Sequence, residues 1–323
     1  MAGDASDKIS FRDTGPVTSG DRICFSIPGE VTDGFLSQIA MFDLALRALP
    51  TPFCDARVIA YLGCEDGVVI PARWQPHLRN VEIRLIRRAA SEAHLIAQAP
   101  RRFTEVDDTL DYVILCDADT MLLGGIGDVL LPLAQGAPVA GVIAHLPPPG
   151  FTNDTWRGIS TELSNRPIEL KYPYTLQPPD TGANAPRAPF YLNHGFVAFR
   201  ADALRDFCPT YLDMRKSLAS RMKLPIFAGQ VGLSITLHAL GWQGVALPMR
   251  YNFPNDDRAF DLHRSEIQDV RVLHYLRENN YLRSEIFAKE EAFRRFVDIE
   301  PASFDRILFD ALARLTGGDY PFS

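Results

Sequence analysis

Apolar residues along this chain fall into two spacings. Ile23-Cys24-Phe25-Ser26-Ile27 is a short apolar run of strand length, and Pro28-Gly29-Glu30 reads as the loop after it. Phe35, Ile39, Phe42, Leu46 and Leu49 then recur at steps of four and three, as on one helix face. Asp33 is placed to cap that helix and Pro50 to end it. Residues 57–62 and 81–86 read as a second and a third strand, and residues 91–99 as a short helical stretch before Pro100. Residues 112–116 form a fourth strand, almost wholly apolar, as a strand covered on both faces should be. Strands alternating with helices predict parallel βαβ units.

The pattern then changes. Pro147-Pro148-Pro149-Gly150 opens a weakly periodic stretch, rich in Pro, Asn, Thr and Gly, that reaches Pro189 and reads as a long functional loop region. Residues 190–200 predict a strand, 201–207 a short helix, 230–240 a further helix and 245–248 a short strand. From Glu285 onward Ile286, Phe287, Phe293, Phe296, Phe304, Ile307, Leu308 and Leu312 give an amphipathic helical pattern. The expected organisation is a disordered lead-in over 1–20, an α/β domain over 21–283 with halves at 21–130 and 131–283, and a C-terminal helical extension over 284–323.

With 323 residues, 46% of them hydrophobic, the chain can bury a sizeable core. A net charge of -7 without any Lys/Arg-rich run argues against a nucleic-acid partner. A phosphate-bearing ligand would therefore need a locally placed cation, either a metal or a few arginines. Cys24, Cys54, Cys64, Cys116 and Cys208 never form a C-x-x-C pair, which argues against structural zinc and for reduced thiols in the cytoplasm. No run approaches the roughly 20 apolar residues of a membrane span, and residues 1–20 hold no apolar signal core. A soluble cytoplasmic enzyme is the expectation.

The strongest chemical signal is Asp111-Tyr112-Val113-Ile114-Leu115-Cys116-Asp117-Ala118-Asp119-Thr120. An apolar strand delivers two carboxylates, one residue apart, to its carboxyl end, where open α/β sheets bind ligands. Hard oxygen donors at that spacing suit Mg²⁺ or Mn²⁺ with substrate phosphates completing the shell. Asp-x-Asp alone is a weak motif, and most copies are solvated loop residues. Here the following residues, Met121-Leu122-Leu123-Gly124-Gly125-Ile126-Gly127-Asp128-Val129, return at once to apolar character. Carboxylates between two apolar runs are costly to bury unless paired or metal-bound.

At this point the sequence resembles glycosyltransferase family 8 and its GT-A relatives: an apolar strand, Asp-x-Asp, then a short apolar element ending in an Asp-Ile/Val pair, here Asp128-Val129. The resemblance runs on short motifs from about Ile23 to His274. It implies an α/β fold of GT-A type, with a mixed, mostly parallel central sheet flanked by helices. It also implies a metal held by Asp117 and Asp119, and a contact from Asp117 and Ala118 to the nucleotide. Tyr191-Leu192-Asn193-His194-Gly195-Phe196 is similar to the family's Asn-x-Gly segment. Asn193 would offer its amide to sugar hydroxyls and Gly195 would let a ligand approach the backbone; a β-bulge with a buried asparagine explains the same residues. Phe227-Ala228-Gly229-Gln230 resembles the family's Asp-Gln segment, which makes Gln230 the candidate near the anomeric carbon, or simply a polar residue of a helix's first turn.

Residues 246–252 resemble the family's Leu-Pro-x-x-Tyr/Trp-Asn segment, in which Asn252 would brace the loop beside the site. Residues 270–275 resemble the strand that ends in a metal-binding histidine, here His274, whose imidazole would favour Mn²⁺ over Mg²⁺. Family 8 continues with Gly and then Lys-Pro-Trp, whereas this chain reads Tyr275-Leu276-Arg277-Glu278-Asn279-Asn280, which points to a sister family. Arg277 or Arg283 would then supply the cation for the diphosphate. Fold analogy places nucleotide contacts at Ser26, Ile27, Pro28 and Gly29.

The function this implies is transfer of a hexose from a UDP-sugar to a hydroxyl of a saccharide, lipid or protein acceptor, with retention of configuration. Asp256 or Asp257 would be the base if the reaction inverts. Two alternatives stay open. A haloacid-dehalogenase-type phosphatase also places Asp-x-Asp after a buried strand, although Met121 stands where that motif has Thr or Val. A catalytically degenerate GT-A binding module would account for the missing Lys-Pro-Trp. A sugar-nucleotide pyrophosphorylase needs a Gly-rich basic loop after the first strand, which Ser26–Glu30 lacks.

Overall fold

The computed structural model describes residues 19–87, 100–104, 106–177, 182, 185–278 and 280–323. In chain order the elements are β1 (Ile23–Glu30), α1 (Asp33–Arg47), β2 (Arg57–Cys64), β3 (Val81–Arg87), β4 (Tyr112–Cys116), β5 (Thr120–Leu122), α2 (Gly127–Ala134), β6 (Val139–Ile143) and α3 (Asn153–Ser164). There follow β7 (Tyr172–Pro173), β8 (Arg187–Ala188), β9 (Leu192–Arg200), α4 (Ala201–Ala219), α5 (Ala228–Leu240), β10 (Val245–Ala246), β11 (Phe253–Pro254), α6 (Asp257–Leu262), β12 (Val272–His274), α7 (Glu290–Val297) and α8 (Arg306–Thr316).

Among the described residues, seven strands form the central sheet in the order β10-β6-β9-β4-β1-β2-β3. β1 runs parallel to β2 and β4, and β2 parallel to β3. β9 is antiparallel to both its neighbours, β4 and β6. The expected architecture, a mixed and mostly parallel sheet flanked by helices with helices at the C-terminus, is the one observed. The alternation of side chains along a strand explains why β4 is apolar throughout. Tyr112, Ile114 and Cys116 enter the core shared with α1 and the C-terminal helices, while Val113 and Leu115 enter the core shared with α4 and α5. Among the described residues no helix is long and apolar enough to cross a membrane.

Several expectations are corrected in detail. Pro28-Gly29-Glu30 continues β1 instead of forming a loop. β4 accompanies β1 only as far as Ser26 while β2 follows it to Glu30, so the last residues of β1 have a partner on one side only, where proline is tolerated. Thr32, not Asp33, caps α1 by accepting from the Phe35 amide; Asp33 instead accepts from Trp74 Nε1 at 2.7 Å. The helix begun at Ala201 runs on to Ala219, because Cys208, Tyr211, Met214 and Leu218 extend its buried face past Pro209. The stretch from 147 to 189 holds α3, begun by a Thr152/Thr155 capping box and buried through Trp156, as well as the β7–β8 pair. The helical stretch expected at 91–99 and residues 1–18 of the lead-in lie outside the described residues.

A second, three-stranded sheet, β11-β12-β5, positions the site. β5 starts one residue after Asp119, and antiparallel β12 sets His274 opposite Thr120. The Tyr275 amide donates to the Asp119 carbonyl at 3.0 Å and the Tyr275 hydroxyl to the Ala118 carbonyl at 3.2 Å. The turn between β4 and β5 is thus stitched to the end of β12 by backbone geometry.

Candidate metal and ligand site

That stitching brings one donor atom each from Asp117, Asp119 and His274 within 4.8 Å of one another. The Asp117 side chain stays 36% exposed, while those of Asp119 and His274 are 12% and 8% exposed. His274 Nε2 stands 3.3 Å from Asp119 Oδ1, and Arg283 Nη1 pairs with Asp119 Oδ2. Burial raises the pKa of Asp119, but the His274 and Arg283 charges outweigh it and hold the carboxylate well below its usual range. Burial also raises Asp117, and the Arg102 guanidinium 3.9 Å away offsets this only in part. Burial lowers His274, and the facing Asp119 carboxylate reverses the sign.

The donor set fits a divalent ion. Bonds of about 2.0–2.2 Å place the ligands of one ion within roughly 4.4 Å of one another, close to the spread seen here. Two carboxylates and one imidazole suit Mn²⁺ as well as Mg²⁺. The two acids open onto a cavity of about 570 Å³, within the range of small-molecule sites. Thr32, Gly34 and Gln38 at the start of α1 line it, as do Arg102, His194 and Arg215. Gln38 Nε2 donates to the Arg283 carbonyl at 2.8 Å, and a Cβ on Gly34 would stand 3.0 Å from the Ser284 backbone. The first two turns of α1 therefore fix the segment that aims Arg283 at Asp119.

The remaining sequence candidates divide. Pro28, Ala118 and Gln230 border the cavity with the acids. Gln230 is oriented from behind, its Oε1 accepting from the Tyr191 hydroxyl at 3.1 Å and its Nε2 reaching the Leu192 carbonyl at 3.4 Å. Ser26 and Ile27 are buried in β1 away from the lining, because the strand runs on past them to Pro28. Asn193 turns its Oδ1 onto the Gly195 amide at 2.8 Å, a local bond that shapes β9, and does not line the cavity. The space over Gly195 is taken by His274 and Asn252, so the close approach that glycine permits is that of protein side chains.

Asp256, Asp257 and Arg277 are not brought to the cavity. Asp256 caps α6 and accepts from Arg277 Nε at 2.8 Å, and Asp257 lies exposed in the helix's first turn. Sequence reasoning missed Arg102, whose side chain is 3% exposed. Its Nη1 donates to the Cys116 carbonyl at 3.2 Å and its Nε has no partner. The Arg101-Arg102 pair after Pro100 carries no motif. His194, the middle residue of the Asn-x-Gly segment, borders the cavity with a buried, unpartnered Nε2, and burial followed by the Arg102 and Arg215 charges depresses its pKa to about 3.

No family model matches the chain, and no curated protein matches it. Among solved structures, mouse xyloside xylosyltransferase 1 in its apo form is similar at 10% sequence identity. The alignment covers 79% of this chain and 98% of that one, with a TM-score of 0.47. A likeness at that level carries no information about individual residues or chemistry.

Proposed function

We propose that the protein is a metal-dependent glycosyltransferase of GT-A type that moves a hexose from a nucleotide-sugar, UDP-linked, to a hydroxyl acceptor with retention of configuration. The observation that carries this reading is the convergence of Asp117, Asp119 and His274 within 4.8 Å at the edge of a cavity large enough for a nucleotide-sugar. A Mn²⁺ or Mg²⁺ ion held by those residues would neutralise the departing diphosphate. Arg283, which lines the cavity, takes the role of the missing family lysine; Arg277 is engaged with Asp256 instead. Arg102 and Arg215 add positive charge to the cavity lining. The Gln230 amide, already oriented by Tyr191, contacts the sugar near its anomeric carbon. Retention is favoured because, among the described residues, the only carboxylates lining the cavity are Asp117, Asp119 and Glu278. The first two are claimed by the metal, and Glu278 pairs with Arg283 at 3.4 Å.

One observation favours a second reading, the degenerate binding module. The Arg283 guanidinium already compensates Asp119, as a nucleotide-binding domain working without metal would require. Calorimetric titration with UDP, with and without Mn²⁺, separates these cases. Metal-dependent UDP binding together with turnover of a UDP-sugar supports the transferase, and metal-independent UDP binding without turnover supports the module. Hydrolysis of a phosphomonoester in the absence of UDP binding would contradict both and return the phosphatase.

A further inference from the structure

Three buried polar atoms beside the acid–histidine cluster have no hydrogen-bond partner: His274 Nδ1 and both side-chain atoms of Asn252, Oδ1 and Nδ2. Asn252 is fully buried and His274 nearly so. They meet over Gly195. A Cβ built there would stand 2.8 Å from Asn252 Oδ1, 2.6 Å from His274 Cε1 and in outright collision with His274 Nδ1. Two of the unpartnered atoms, His274 Nδ1 and Asn252 Oδ1, therefore border one small space that only a glycine leaves open. An unsatisfied buried polar group costs about 1–3 kcal/mol, so an apolar side chain would be the more stable occupant of position 252 unless the amide has a task.

The geometry of His274 supplies the task. Its Nε2 faces Asp119 at 3.3 Å and is the nitrogen turned to the acids. A ligating imidazole must keep its coordinating nitrogen free of hydrogen. That places the proton on the other nitrogen, which then needs an acceptor. We propose that Asn252 is the positioning residue for His274: Oδ1 accepts the Nδ1 proton, directly or through one buried water, and leaves the Nε2 lone pair for the ion. The inference rests on the metal reading above. Asn252 is well held for this, although its own amide makes no bond. Its backbone N–H donates to the Met249 carbonyl at 2.9 Å, and the neighbouring Tyr251 hydroxyl donates to Asp128 Oδ2 at 2.6 Å. Just beyond it, Pro254 of β11 pairs with His274 of β12. The Asp128-Val129 element noted in the sequence thus anchors the segment that carries the asparagine.

The test is a titration of Mn²⁺ alone into the full chain, with free ion followed by electron paramagnetic resonance. Asn252→Ala should weaken binding about 10- to 100-fold, the usual loss when a supporting partner of a ligand is removed. Asn252→Asp, which keeps an acceptor, should stay within about threefold of the parent. If Asn252→Ala does not fold, Asn252→Leu gives the same readout at similar volume. The deciding measurement is the double variant: His274→Ala/Asn252→Ala should bind no more weakly than His274→Ala, since the asparagine acts through the histidine. Parent-like binding by Asn252→Ala, or losses that add in the double variant, would overturn this inference alone. Absence of Mn²⁺ binding by the parent protein would overturn the metal reading and this inference with it.

Discussion

Asn252 and Asn255 lie three residues apart, both fully buried, and they live in opposite chemical circumstances. Asn255 has both side-chain polar atoms bonded. Its Nδ2 reaches Asp305 Oδ1, the Tyr281 hydroxyl and the Arg277 carbonyl, each at 3.0 Å, and its Oδ1 accepts from the Arg277 amide at 2.9 Å. Asp305, equally buried, accepts a second amide from Asn280 at 3.1 Å. Asn252 has neither bonded, and beside it His274 Nδ1 is also unpaired. A closed polar network fixes a fold; a buried polar group with spare valence marks a place where something is still to bind. Each cluster is built around a buried asparagine, so what separates structure from function here is the leftover bonding capacity.

Mutation should break that contrast in order. Asp119→Asn keeps the shape but removes the charge facing His274 and Arg283. It should lower Mn²⁺ affinity by about 1,000-fold, read by the same resonance titration, while circular dichroism stays native. Asp305→Ala strips an acceptor from the buried Asn255 amide and from the exposed Asn280 amide. It should cost about 3 kcal/mol in a urea unfolding series, with Mn²⁺ affinity of the folded protein unchanged. Gly195→Ala puts a methyl against the His274 ring. It should weaken Mn²⁺ about tenfold, through displacement of the ring. Arg215→Ala removes a half-buried cation of the cavity wall, one without a carboxylate partner among the described residues. It should weaken UDP about threefold by calorimetry, with Mn²⁺ binding untouched.

The smallest effect is one of pH. Burial raises the pKa of Asp305 above 3.8 despite its bonds from Asn255 and Asn280. A raised acid contributes stability that is complete below the unfolded value and is lost as pH rises through the folded one. Relative to Asp305→Asn, the parent should therefore lose stability as pH climbs from 3.8, which paired unfolding curves would show.

How much of this was legible in the sequence follows from what local patterns encode. The strand at residues 112–116 and the acids after it were readable, because burial on both faces forces an unbroken apolar run and the acids interrupt it. His274 was readable only by resemblance, since its partnership with Asp119 depends on β12 lying antiparallel to β5, a long-range pairing with no local mark. Gly195 was visible, but its reason was not: the atom it makes room for belongs to a residue far along the chain. Asp256 and Asp257 stood as candidates for a base, yet a helix cap and Arg277 engage the former and the latter faces solvent. Arg102 had no pattern at all and His194 was the unspecified position of its motif; unpartnered buried nitrogens at the cavity single them out.

The central claim meets its most direct test in crystals soaked with MnCl₂ and UDP and measured at the manganese absorption edge. The account predicts one strong anomalous peak within bonding distance of Asp117, Asp119 and His274, with the diphosphate oxygens on its open side. Nucleotide density in the cavity without such a peak, or a peak away from those three side chains, would contradict it.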